Sequence, residues 1–168
     1  FRAWNDFCRK SNVDATLVFA GEGNDRKFLE SEVAEAGLTN VRVLGFVPRN
    51  DLAKVCAAAD VFVFPTLRDC FSLAFEEATA AGLPVIGSIY GGESELVEEG
   101  VNGWVCDPIE IDDLHEKLVL AYEARHELPQ MGERARQAVA RMAIDQVAER
   151  IRLAVDYALD KPKSKRRP

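Results

Sequence analysis

Hydrophobic residues along the chain follow two alternating patterns. Short continuous apolar runs predict buried strands, and segments with apolar residues every three to four positions predict helices. The predicted strands cover residues 15–20, 41–44, 61–64, 84–87 and 103–106. The predicted helices cover residues 1–10, 24–36, 51–59, 71–81, 93–98, 112–126, 128–140 and 144–159. A helix follows each strand, which is the order of βαβ units.

This order predicts an α/β fold. Strands that are apolar throughout are typical of a parallel sheet buried on both faces, and right-handed crossovers then give a Rossmann-like doubly wound sheet. We expect one such domain over residues 1–160, with extra helices at its C-terminal end. Residues 1–10 read as a helix whose preceding strand lies outside this sequence, and residues 161–168 as a basic disordered tail.

The composition is that of an ordinary globular domain. The 168 residues are 48% hydrophobic and 29% charged, and no apolar run approaches the ~20 residues of a membrane span. The formal net charge of −7, despite a basic tail, argues against nucleic acid as a partner. The four cysteines form no Cys-x-x-Cys pair and lack zinc spacing, so we expect reduced thiols and a cytoplasmic location. The sequence leaves membrane association open.

Two carboxylates flank the start of the helix that follows the third predicted strand. Asp69 precedes this helix, and Glu77 lies within it, about 12 Å further along the axis. The backbone amides of Phe71, Ser72 and Leu73 lie between them. Ligands of doubly wound sheets bind beyond the carboxyl ends of the strands, and helix N-termini bind anions. One element could therefore hydrogen-bond sugar hydroxyls, phosphate oxygens and ribose hydroxyls in sequence.

The same loop and helix belong to a longer series of spaced residues. Residues 65–85 read Pro-Thr-Leu-Arg-Asp-Cys-Phe-Ser-Leu-Ala-Phe-Glu-Glu-Ala-Thr-Ala-Ala-Gly-Leu-Pro-Val. They resemble the pattern Pro-Ser-x-x-Glu-x-Phe-Gly-Leu-x-x-x-Glu-Ala-x-Ala-x-Gly-x-Pro-Val of retaining glycosyltransferases of family four (group 1), which have the two-domain GT-B architecture. Flanking motifs match in order, namely Gly21-Glu22-Gly23, Gly45-Phe46-Val47, Ala58-Ala59-Asp60-Val61 and Gly91-Gly92-Glu93-Ser94-Glu95. The resemblance implies the C-terminal, donor-binding domain of such an enzyme.

The resemblance also implies a role for each matching residue. Asp69 stands where the family contacts the donor sugar, and Glu77 where it holds the ribose hydroxyls; these are the implied catalytic-site residues. The amides of Ser72 and Leu73 would contact the distal phosphate. The other implied donor-binding residues are Phe46 and Val47 in the base pocket, Gly21, Gly91 and Gly92 where the backbone approaches the donor, and Gly23, Phe71 and Glu95.

Two positions depart from the family pattern. Asp69 replaces a glutamate and is one methylene shorter, and Ser72 replaces a glycine. The family's arginine and lysine that neutralise the leaving diphosphate would lie upstream of Phe1, as would the acceptor-binding N-terminal domain. We therefore expect this chain to need that domain as its partner and not to transfer sugar alone. The resemblance implies a nucleotide-sugar substrate and no flavin, nicotinamide or tightly bound metal.

Other interpretations remain open at this point. A sugar-nucleotide epimerase of the same architecture and a non-catalytic nucleotide-binding module both fit the motifs. A dinucleotide-dependent dehydrogenase fits less well, because the Gly21-Glu22-Gly23 loop lacks the third glycine of that fingerprint. Asp69 also fits a plain helix cap, and Phe46, Cys70 and Trp104 fit packing positions. The sequence indicates neither the donor base and sugar nor the acceptor.

Overall fold

The computed structural model describes residues 1–10 and 13–160, and the predicted basic tail lies outside the described residues. Strands and helices alternate as the sequence predicts. The strands are β1 (Leu17–Ala20), β2 (Val41–Gly45), β3 (Phe62–Val63), β4 (Val85–Ser88) and β5 (Gly103–Cys106). The helices are α1 (Arg2–Lys10), α2 (Arg26–Ala36), α3 (Arg49–Ala57), α4 (Leu73–Ala80), α5 (Ile111–Glu123), α6 (Leu128–Ala140) and α7 (Ile144–Asp160), with a 3₁₀ helix at Gly92–Leu96.

All strand pairs are parallel, which confirms the predicted α/β class. β1 pairs with β2, and β4 lies between β3 and β5. Within the part of the chain that the structure describes, no backbone ladder joins the β1–β2 pair to the three-stranded sheet. The loops that follow β1, β3 and β5 nevertheless line one cleft, so the carboxyl ends of both sheets lie at the same edge.

The core sits around β4 and between the first and fifth helices. Every residue of β4 is buried, and Ile86 is completely inaccessible to solvent. Helix α1 packs on α5, where the ring of Phe7 lies 5.4 Å from that of Trp4 and 5.7 Å from that of Tyr122. Trp104 of β5 joins this core, as the sequence predicts. This packing fixes the sheet whose carboxyl edge carries the predicted donor-site loops.

The sequence predicts strands that are buried on both faces, and this prediction is wrong for β1 and β2. Val18 of β1 and Leu44 of β2 are exposed, and α2 has no buried residue. Phe28 of α2 is 59% exposed. The physical reason is that Val18 and Leu44 share the strand face that is open to solvent, whereas Phe28 lines the open cleft. A continuous apolar run indicates which residues avoid water in the native environment, but it does not identify what covers them.

No helix within residues 1–10 and 13–160 combines the length and the apolar composition needed to cross a membrane. The longest helix, α7, is exposed along its described side chains and carries both apolar and charged residues.

Candidate functional site

Two side chains set the start of α4. Ser72 is the N-cap, and its hydroxyl accepts hydrogen bonds from the amides of Ala74 at 3.2 Å and Phe75 at 3.4 Å. Upstream, Oδ1 of Asp69 accepts a hydrogen bond from the amide of Phe71 at 3.1 Å. The helix therefore begins at Leu73, two residues later than predicted, because serine at an N-cap holds its own backbone in an extended conformation. Asp69 turns the loop rather than capping the helix itself.

The amides at this helix start are only partly free. The prediction that three amides are available is wrong for Phe71, which donates to Asp69. The amides of Ser72 and Leu73 have no hydrogen-bond partner among the residues that the structure describes. Unpaired amides at a helix N-terminus carry partial positive charge and bind anions. This pair lies at the position that the resemblance gives to the distal phosphate.

Replacing Ser72 tests the cap independently of any ligand. Ser72→Ala is expected to lower the free energy of unfolding by about 1 kcal/mol, because the amides of Ala74 and Phe75 lose their acceptor. Ser72→Gly, which restores the family residue, should lower it by only a few tenths of that. Urea denaturation measures both values, and equal losses in the two variants would contradict the capping role.

The glycine pair at the carboxyl edge of β4 packs against the loop of Asp69. Asp69 and Gly91 form a parallel β-bridge, and the amide of Gly92 donates to the carbonyl of Asp69 at 3.1 Å. A Cβ atom on Gly92 would lie 1.8 Å from the carbonyl oxygen of Cys70. The close approach that requires glycine here is thus to the chain itself, and an approach to the donor sugar stays a prediction.

The helix after these glycines and the cysteine next to Asp69 both differ from what the sequence predicts. The helix predicted over residues 93–98 is a 3₁₀ helix at Gly92–Leu96, and Glu95 within it is exposed. Cys70 is also exposed, so the prediction that it packs in the interior is wrong.

A second group of predicted residues surrounds the end of β2. The amide of Gly21 donates to the carbonyl of Gly45 at 2.8 Å, and the amide of Phe46 donates to Oε1 of Glu22 at 3.0 Å. The same carboxylate contacts the guanidinium of Arg26. Sequence reasoning missed Glu22 as the link between the glycine loop and Phe46. No local signal could have found this link, because Glu22 and Phe46 are 24 residues apart in the chain.

Phe46 itself points away from the core. Its side chain is 73% exposed, so the interpretation as a packing residue is wrong and its ring is open to a planar ligand. Val47 beside it is half-buried.

Glu77 lies further along α4 and faces helix α3. Its Oε1 lies 3.6 Å from Nε of Arg49, the first residue of that helix. Burial raises the pKa of the Cys56 thiol, and the nearby Glu77 charge raises this pKa further. The Glu77 side chain is 37% exposed and thus accessible to a ligand.

A cleft at the sheet edge only partly coincides with the predicted site. It has a volume of about 790 Å³ and lies at the carboxyl ends of β1, β3 and β5. Gly21 and Gly23 are the predicted site residues in its lining. Pro65, Leu67 and Ile109, which were not predicted, also line it. Asp69, Glu77 and the glycine pair lie outside its lining. The structure thus places the predicted residues in neighbouring groups along one edge and not in a single enclosed pocket.

Comparison with known families identifies the chain. The model of the family described as Glycosyl transferases group 1 matches residues 1–138. The chain belongs to this family. Among curated relatives, the GDP-mannose-dependent alpha-mannosyltransferase of Corynebacterium glutamicum is 36% identical over 110 residues, which is 66% of this chain and 25% of that protein. The chain matches about a quarter of the length of such relatives.

Solved structures show the same fold. The C-terminal domain of a glycosyl transferase group 1 family protein from Francisella tularensis is 25% identical, with a TM-score of 0.73 over 83% of this chain and 74% of that chain. Anabaena HepE, solved in complex with UDP, is 25% identical, with a TM-score of 0.76 over 92% of this chain and 44% of that chain. These neighbours confirm the C-terminal half of a GT-B fold.

Proposed function

We propose that this chain is the donor-binding domain of a retaining glycosyltransferase that transfers a sugar from a nucleotide-diphosphate sugar to an acceptor. The observation that carries the proposal is the start of α4, where two free amides lie between the carboxylates of Asp69 and Glu77. Membership of the group 1 family supports it, as do a relative named for GDP-mannose and a structural neighbour that binds UDP.

Each part of the site has a role in this proposal. The amides of Ser72 and Leu73 bind the distal phosphate, where negative charge grows as the bond to the sugar breaks. Asp69 retains a second carboxylate oxygen for a sugar hydroxyl, since only Oδ1 is engaged by Phe71. Glu77 accepts from the ribose hydroxyls. These contacts position the sugar while the diphosphate leaves.

The remaining donor contacts lie on the neighbouring loops. The exposed ring of Phe46 and the adjacent Val47 form one side of the base pocket. In this proposal the cations that neutralise the diphosphate lie upstream of Phe1, and the N-terminal domain of the same protein binds the acceptor. The chain alone then binds donor nucleotides without catalysing transfer, and the whole enzyme works in the reducing cytoplasm.

Nucleotide titration with Glu77→Gln tests the proposal. Calorimetry with UDP, GDP, ADP and a UDP-sugar should show binding of at least one nucleotide by the unaltered chain. Glu77→Gln should weaken that binding about 10- to 100-fold, because hydrogen bonds from ribose hydroxyls to a carboxylate become bonds to a neutral amide. Glu76→Gln, the adjacent change in the same helix, is the control and should bind as the unaltered chain does. Absence of binding by any nucleotide would refute the proposal.

A further inference from the structure

Helix α3 turns one face toward the Glu77 carboxylate. Arg49 begins this helix and Cys56 lies seven residues later, so both side chains are on the same face. Nε of Arg49 is 3.6 Å from Oε1 of Glu77, and the Glu77 charge also acts on the thiol of Cys56. Arg49 is the cation that stands next to this carboxylate, which the proposed function assigns to the ribose hydroxyls.

The ion pair between Arg49 and Glu77 contributes too little to folding stability for stability to explain its presence. Its length exceeds that of a hydrogen bond, and the Arg49 side chain is 90% exposed. Exposed ion pairs of this kind contribute little to folding, because water and salt screen them. Within the described part of the chain, the two Nη groups of Arg49 have no partner. The guanidinium is therefore free to adjust when a ligand reaches Glu77.

The position of Arg49 in the chain gives this cation a place in the donor site. Only Pro48 separates it from Val47 in the chain, so Arg49 follows the Phe46–Val47 loop directly while its guanidinium faces the Glu77 carboxylate. Two carboxylates, Asp69 and Glu77, flank the α4 amides that would hold a diphosphate. A positive charge next to Glu77 reduces the repulsion between this carboxylate and the phosphates.

We propose that Arg49 is a positioning residue of the donor site. Its guanidinium orients the Glu77 carboxylate toward the ribose hydroxyls and offsets its charge, so that a nucleoside diphosphate lies along the start of α4. This inference rests on the proposed function and extends it to a residue outside the family signature at residues 65–85.

Calorimetric titration of Arg49 variants tests the inference. Arg49→Ala should weaken binding of the preferred nucleoside diphosphate about three- to tenfold. Arg49→Lys should recover part of the loss because it keeps the charge, and Arg49→Gln should not. The loss should shrink between about 0.05 M and about 0.5 M NaCl, since salt screens exposed charges. Lys54→Ala is the matched control, because Lys54 is an exposed cation of the same helix paired with Asp51, and it should leave binding unchanged.

A double-mutant cycle separates positioning from a structural role. In the Glu77→Gln background, Arg49→Ala should have almost no further effect on nucleotide binding, because its partner carboxylate is already neutral. If Glu77→Gln weakens binding but Arg49→Ala does not, this inference is overturned while the proposed function stands. Equal, salt-independent losses in both backgrounds would also overturn it. If no nucleotide binds to the unaltered chain, the proposed function fails and this inference fails with it.

Discussion

Replacing Gly92 by alanine is expected to lower the free energy of unfolding by about 2–3 kcal/mol. The new Cβ would lie 1.8 Å from the carbonyl oxygen of Cys70, which is about half a normal contact distance. The neighbouring atom belongs to the backbone and cannot turn aside as a side-chain end would. The two loops must therefore move apart, which breaks the bridge between Asp69 and Gly91. Urea denaturation measures the loss.

Gly23→Ala is the matched control for this change. A Cβ on Gly23 would meet no atom within 4 Å, and its φ does not lie in the region that favours glycine. Its stability should stay within about 0.5 kcal/mol of that of the unaltered chain. Because Gly92→Ala also displaces the Asp69 loop, nucleotide binding should weaken in that variant. An unchanged free energy of unfolding for Gly92→Ala would contradict the close packing of Gly92 on the Cys70 carbonyl.

Phe7→Ala should lower the free energy of unfolding by about 3–5 kcal/mol. Phe7 is only 2% exposed, and its ring contacts those of Trp4, Tyr122 and His115, with ring centroids 5.4, 5.7 and 6.4 Å away. Its removal leaves a cavity at the interface of α1 and α5 that these rigid rings cannot fill. Equilibrium unfolding in urea, followed by tryptophan fluorescence, measures the change.

Phe28→Ala is the control, because it makes the same substitution at an exposed position. Phe28 lies on α2 and is 59% exposed, so its truncation removes little buried area and should change stability by less than about 1 kcal/mol. Similar losses of stability in Phe7→Ala and Phe28→Ala would contradict the exposed position of Phe28 on α2.

The sequence predicted the elements better than their surroundings. The apolar run of Val85–Ser88 lies on a strand buried on both faces, as the pattern indicates. The equally apolar residues Val18 and Leu44 are exposed, since burial depends on neighbours that a local pattern does not contain. The start of α4 was misplaced by two residues because the extended backbone at the Ser72 N-cap outweighs the apolar periodicity.

The sequence indicated which residues form the candidate site but not which contacts they make. Spaced motifs indicated Asp69, Glu77 and the glycines, because diphosphate and ribose recognition needs such groups at strand ends. The motifs did not reveal that Gly92 packs on Cys70 or that Arg49 faces Glu77. Both contacts join segments that are distant in sequence, and their geometry follows from how the strands are placed. The β1–β2 pair and the three-stranded sheet β3–β4–β5 place the two groups of predicted residues at one edge.

The division of the strands into two ladders has an energetic consequence for ligand binding. In the described part of the chain, β1 and β2 join the other strands through side-chain packing and not through backbone hydrogen bonds. Proteins open locally in cooperative units that often coincide with supersecondary motifs, and β1, α2 and β2 form one such motif. A nucleotide that contacts both Phe46, after β2, and the α4 amides, after β3, would bridge the two units. Part of its binding free energy would then be spent on restricting their relative motion, so a rigid connection between the units would raise nucleotide affinity without adding a contact.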